Sequence, residues 1–369
     1  MIIATPLKTA GFFLLITLTI AGLMSCDGGI EPDPDLEFDR ASMLTQVADE
    51  LIIVNFGTLQ LSVTALSDAI DRFTQDPTEG HLMAARTAWV QTAIDHQHCS
   101  AFGFGPASLL LGPYAEVLGA FPIDENKVEL NILNPDFDLD NSFDKDVRGL
   151  YGIEYLLYGN GSSDAEIVAA FDQNRKAYLL LITAELTNTI DNIYVGWVEG
   201  YRQEFITSNG TASGSSISLY YNEFVKDYEN LKNFKLELPG GLAAGQSGPD
   251  GTLVEAFYSG ISRDLIVEQF ENSKNIYFGL SRGGREITGF DEYLATVVGG
   301  PELVTQTKQA VTVIDNAIAN IPQGRLSEHV GDPSIKALRD ELQSNTANFK
   351  SSLSSLLGID ITFDSGDGD

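Results

Sequence analysis

Histidine and cysteine crowd together in one run, His96-Gln97-His98-Cys99. These are the soft donors that zinc and copper sites use. On a helix, residues two apart point to nearly opposite sides, so His96 and His98 cannot chelate one ion together. His96 and Cys99, three apart, could share a face, with a third ligand from elsewhere. The alternative is a Cys99 packed in the core beside one solvated His. A second run, Asp136-Phe137-Asp138-Leu139-Asp140, alternates carboxylates as calcium loops do. Its sixth position is Asn141 where such a loop needs Gly, and its twelfth is Val147 where it needs Glu. A true EF-hand is excluded, and weak cation binding is not. The third candidate is Glu154 in Arg148-Gly149-Leu150-Tyr151-Gly152-Ile153-Glu154-Tyr155-Leu156-Leu157-Tyr158-Gly159. A carboxylate in so apolar a helix needs a partner, a metal or a raised pKa. Tyr151 lies three residues before it, on the same face, and Arg148 is a possible partner. No nucleophile elbow, His-Glu-x-x-His, phosphate loop or dinucleotide fingerprint occurs, so nothing points to covalent catalysis.

The elements that must position these residues are helices. Leu44, Val47, Leu51, Val54, Leu59, Leu61, Val63, Leu66 and Ile70 recur at helical spacing and predict one long helix from Ala41 to Phe73. Asp76-Pro77-Thr78-Glu79-Gly80 supplies a turn, and a second helix is expected from Leu82 to Phe102, with Trp89, Val90, Ala93 and Ile94 inward. Another is expected near Ala107–Gly119, then a long irregular acidic stretch from Phe121 to Asp146. Ser208–Ser216 is the best linker. Alternating β-branched runs with hairpin turns are absent, and the chain reads as all-α. Gly152-Ile153-Glu154-Tyr155-Leu156 is echoed by Gly289-Phe290-Asp291-Glu292-Tyr293-Leu294, which supports two related helical bundles. The expected bounds are 41–208 and 217–360, joined at 209–216 and trailed by an acidic tail, 361–369.

The N-terminus is an export signal in composition. Lys8 precedes an apolar run from Ala10 to Met24, too short to favour a permanent membrane span. Leu23-Met24-Ser25-Cys26 then looks like a bacterial lipobox, which makes residues 1–25 a cleaved signal and Cys26 the lipid-bearing residue. Residues 26–40 read as a tether. With Cys26 acylated only Cys99 remains, so no intramolecular disulfide is available. Against 52 Asp and Glu stand 22 Lys and Arg, a formal net charge of −30. That excess excludes nucleic acid as a partner, because nothing would release counterions from phosphates.

Beyond these features, the chain resembles the imelysin-like family, exported all-helical proteins of Gram-negative bacteria, some described as peptidases and several linked to iron acquisition. The likeness runs through Ala84-Ala85-Arg86-Thr87-Ala88-Trp89, Phe104-Gly105-Pro106-Ala107 and Gly149–Gly159. In the second half it takes in Val254-Glu255-Ala256-Phe257-Tyr258-Ser259, Ile276-Tyr277-Phe278-Gly279 and Ile361–Asp364. The family motif Gly-x-His-x-x-Glu is thought to bind a metal such as iron. Gly149 and Glu154 match it, but Tyr151 stands at the His position, and a neutral Tyr is a poor ligand for a divalent ion. The resemblance implies two packed helical bundles and a membrane-anchored, non-catalytic binding or accessory lipoprotein of the cell envelope, in iron or haem acquisition. The alternatives are a metal-dependent peptidase with an altered site and a surface scaffold without a small ligand. In the ligand-binding reading, Glu154, Tyr151 and a loop carboxylate, Asp138 or Asp140, hold iron or another divalent cation, with Arg148 and Gly149 supporting. In the structural reading Glu154 pairs with Arg148 or a Tyr hydroxyl. The partners implied are the membrane, through Cys26, and iron-uptake or other envelope proteins.

Overall fold

The long apolar periodicity at the start folds as one rod, α1 (Arg40–Gln75), in a computed structural model that describes residues 38–134, 139 and 144–363. Cys26, the signal, residues 26–37 of the tether, Asp138, Asp140 and residues 364–369 lie outside the described residues, and the expected tether's last residue, Arg40, already belongs to α1. Asp39 caps α1 by accepting the Ser42 N–H at 2.9 Å. By length and composition α1 could cross a membrane, but Leu44, Leu51, Leu59, Val63, Leu66 and Ile70 are all buried in the protein core. A π-helical turn at Val47–Ile52 inserts extra residues into the winding and rotates the rest of the helix. Val54, expected inward, therefore faces solvent at 43% exposure and Phe56 takes an inward place, whereas Leu61, two residues from Leu59 and Val63 on the regular helix, points away from them and is 73% exposed.

Helix α2 (Glu79–Gln97) starts at the Thr78 cap and ends at Gln97, five residues short of the expected Phe102. Trp89 and Ala93 are buried as expected, whereas Val90 and Ile94 are only partly covered. Gly112-Pro113 delays the next helix, so a 3-10 turn at Gly105–Leu109 precedes a short α3 (Tyr114–Gly119). The acidic stretch expected to be irregular contains α4 (Glu125–Leu133). Asp124 caps it at the Lys127 N–H, and Val128 and Ile132, four apart, pin it to the core. The motif helix α5 (Gly149–Tyr158) comes next, then α6 (Asp164–Ala170), α7 (Gln173–Gly196) and, after a π turn, α8 (Arg202–Thr207).

Residues 208–215 form a turn closed by the Ser216 N–H donating to the Ser208 carbonyl. Helix α9 (Ser216–Lys232) continues into a π turn at Asn233–Glu237. The chain ends with α10 (Ser262–Phe278), α11 (Phe290–Ala295), α12 (Gly300–Asn320), α13 (Pro333–Thr346) and α14 (Leu353–Leu357). Helix α1 packs on α2 and α7, and α5 packs on α2 and α7; α10 and α13 each pack on α9, and α10 also lies on α2. The described residues contain no strand, only an isolated bridge between Leu280 and Glu286. The fold is all-α.

The burial pattern along α1 makes a direct expectation. Leu66→Ala should cost about 2–5 kcal/mol of unfolding free energy by opening a cavity. Leu61→Ala, on the same helix, should stay within about 0.5 kcal/mol. Urea melts of the two variants separate them, and equal losses would contradict the orientation of α1.

Candidate functional site

Motif helix α5 is held in place from its ends. Gly149 adopts φ +65°, and a Cβ there would sit 2.5 Å from the Leu118 carbonyl oxygen, so both conformation and space demand glycine. The first motif position is thus a packing requirement. The Trp89 indole donates to the Leu150 carbonyl at 2.7 Å, and the Arg86 Nε donates to the Leu157 carbonyl at 2.9 Å. Tyr178 donates to the Val147 carbonyl at 2.6 Å, just before the helix. Residues 149–157 are all buried, which is why the segment reads as nearly uniformly apolar.

Into this setting the fold brings Glu154. Its Oε1 accepts the Ser259 N–H at 2.6 Å, while its Oε2 has no hydrogen-bond partner. Burial raises the Glu154 pKa to about 7; the hydrogen bonds from Ser259 oppose that shift and the charge of Glu255 adds to it. Of the three remedies open to a carboxylate in an apolar helix, the structure uses a raised pKa together with a backbone amide. A cavity with room for about one water lies against Glu154 and Tyr151, beneath Phe121, Ala256 and Tyr258.

Tyr151 turns its hydroxyl to Glu255 and donates to Oε1. The other carboxylate oxygen of Glu255 lies 2.6 Å from Lys235 Nζ. Gln97 bridges the pair, accepting from Lys235 at 2.6 Å and donating to Glu255 at 3.3 Å. Burial, and then the negative Glu255, push the Tyr151 phenol well above its ordinary pKa, so it stays a protonated donor. Glu255 is delivered by a strap, residues 254–260, that also carries Ser259. Its next residue, Ala256, holds φ +52°, a left-handed conformation costing about 1–3 kcal/mol in a residue with a Cβ.

The expected partner of Glu154 is engaged elsewhere. Arg148 pairs with Glu185 at 2.7 Å and donates to the Leu139 carbonyl, so it braces the turn before α5. Of the soft-donor run, His96 is buried with neither ring nitrogen hydrogen-bonded, and its pKa falls to about 3 through burial and then the nearby Lys235 charge. His98 Nε2 meets Glu268 at 2.9 Å, and Cys99 is buried with its thiol pKa raised by burial. His98 is therefore not the solvated residue that an apolar Cys99 would leave behind. Glu255, Lys235 and Gln97 were not singled out from sequence, although Glu255 lies in a family-like segment and Gln97 in the soft-donor run. Lys235 carried no signal.

The donor set does not fit a divalent metal. Among the described residues no group of three His, Cys, Asp or Glu is arranged to hold one. Tyr151 is a phenol already donating, Glu255 is already neutralised by an ammonium, and Glu154 offers a single unengaged oxygen.

Residues 53–353 match the family model described as Imelysin, which carries a peptidase designation. A relative named iron-regulated protein A, from Synechococcus elongatus, is 21% identical over 309 residues, covering 80% of this chain and 82% of its own. Among solved structures, an iron-regulated protein A precursor from Parabacteroides distasonis superposes with a TM-score of 0.74 at 18% identity, over 88% of this chain and 98% of that one. An imelysin-like protein from Psychrobacter arcticum superposes with a TM-score of 0.69 at 20% identity, over 90% and 100% of the two chains. At such identities the structural likeness speaks for the fold.

The raised pKa of Glu154 has a definite sign in stability. The folded state holds a proton between the ordinary value of 4.5 and about 7 that the unfolded chain has released, so stability falls as pH rises through that window. Glu154→Gln keeps an acceptor for Ser259 and deletes the titration. Relative to wild type, the variant should gain up to about 3 kcal/mol between pH 4.5 and pH 7.5. Chemical denaturation at the two pH values reads this directly, and a relative loss with rising pH would show that Glu154 is held ionised.

Proposed function

Because the chain belongs to the imelysin family, we propose that it is a lipid-anchored, non-catalytic binding or accessory protein of iron or haem acquisition in the cell envelope. The observation that carries the non-catalytic part is the Tyr151–Glu255–Lys235 arrangement at the motif's His position. Metal-dependent peptide hydrolysis needs a held cation and a water activated on it. Here Tyr151 and Glu255 are spent on each other and on Lys235, and Glu154 has one oxygen left to offer. The iron context is supported by the name of the Synechococcus relative, iron-regulated protein A. The anchor is supported by Leu23-Met24-Ser25-Cys26 after a short apolar run. An acidic surface of net charge −30 suits a soluble domain that must stay off anionic lipid headgroups while tethered beside them.

Three experiments test this. The wild-type protein should label with fatty acid and fractionate with membranes, and Cys26→Ala should lose both properties. A soluble, unlabelled wild-type protein would remove the anchor. Purified chain should leave a denatured protein substrate uncut with or without chelator, while a deletion strain grows more slowly on chelator-limited iron or on haem. Chelator-sensitive cleavage would establish a peptidase instead, and unaltered growth would remove the iron role.

A further inference from the structure

Lys235 breaks the local polarity rule of its own helix end. It comes directly after Phe234 in the π turn that extends α9, yet Phe234 is 51% exposed and Lys235 is 6% exposed. An amphipathic winding would do the reverse, with the ring inside and the ammonium in water. The π turn rotates the pair so that the lysine enters the site, and such bulges gather at functional positions. Once inside, its ammonium is 2.6 Å from Glu255 and 2.6 Å from the Gln97 carbonyl oxygen. Glu255 is then engaged on both oxygens, by hydrogen bonds from Tyr151 and Gln97 on one and by the Lys235 ion pair on the other. A buried ion pair of this kind contributes little net stability beside a well-packed apolar replacement, so stability alone does not account for it.

We infer that Lys235 is the resident cation of this site: its ammonium supplies the positive charge that the buried Glu255 carboxylate requires, and the site therefore takes up no divalent metal. Two features of this site act together. Tyr151, at the motif's His position, offers a proton donor in place of a nitrogen ligand, and Lys235 neutralises the carboxylate that this donor meets. Giving the site metal affinity then requires replacing both.

This inference deepens the non-catalytic reading, and the two fail separately. Cleavage of a substrate would end that reading whatever the metal content, whereas metal binding without cleavage would end this inference alone. The test is equilibrium dialysis of the full chain against ferrous or zinc ion at pH 7.5, with elemental analysis of the protein compartment. Loosely held ions on the acidic surface are told apart by Glu154→Gln and Glu255→Gln, which leave that surface intact. Wild type should show no bound equivalent that either substitution removes. The double variant Tyr151→His, Lys235→Gln, with an unchanged helical circular dichroism spectrum, should gain an equivalent that Glu154→Gln then abolishes. A site-dependent equivalent in wild type would overturn the inference, as would a folded double variant that gains none. Should the double variant not fold, the wild-type arm still decides, because it needs no substitution of Lys235 or Tyr151.

Discussion

The Glu255 carboxylate is the constraint on which the site depends. It accepts from Tyr151 on α5 and from Gln97 at the end of α2, and it meets Lys235 on the extension of α9. Elements from both halves of the chain thus converge on one pair of oxygens. Leaving a partner of such a buried charge unpaired costs about 3–5 kcal/mol, so the groups stand or fall together. The strained Ala256 is understandable in this light. It lies between Glu255, which meets Tyr151, and Ser259, which donates to Glu154, and the contacts those residues make offset the strain.

A second carboxylate is treated in the opposite way. Glu154 sits three residues from Tyr151 but receives no cation. Its charge is suppressed by burial, and one oxygen is satisfied by a backbone amide. The result is a one-water cavity beside a buried carboxyl group whose pKa is raised to about 7. Asp227, buried and raised to about 7, adds another group of the same kind on α9, where Gln269 donates to it at 2.8 Å.

Much of the scaffold was legible in sequence because its causes are local. The stripe from Leu44 to Ile70 marks α1, Thr78 starts α2, and the paired glycines around Leu150–Tyr158 bound α5. The failures also have local causes. A π turn cannot be read from periodicity that assumes a constant winding, so Val54 was turned inward, while Leu61 was turned inward against the helical spacing of its own neighbours Leu59 and Val63. The cap Asp124 was lost among other acids, so α4 was read as loop. The site was half legible. Glu154 and Tyr151 stand out because a polar residue in an apolar run is conspicuous from either side. Lys235 does not, since a lysine at the end of an amphipathic helix is ordinarily solvated, and only the tertiary packing around the π turn makes it otherwise.

The two Glu-Tyr-Leu echoes show why a short repeat does not transfer a function. In α11, Glu292 lies in the first turn and reaches back to accept the Gly289 N–H at 2.7 Å, a capping role that any solvent-facing helix start can use. In α5, the helix begins three residues earlier relative to its Glu, at the left-handed Gly149. Glu154 therefore falls in the second turn, where the backbone N–H groups already have partners within the helix. Its side chain cannot cap and must look outward, and its partner there is the amide of Ser259 on the strap. The position of one glycine thus decides whether the same fragment ends a helix neatly or places a carboxyl group at the centre of the molecule.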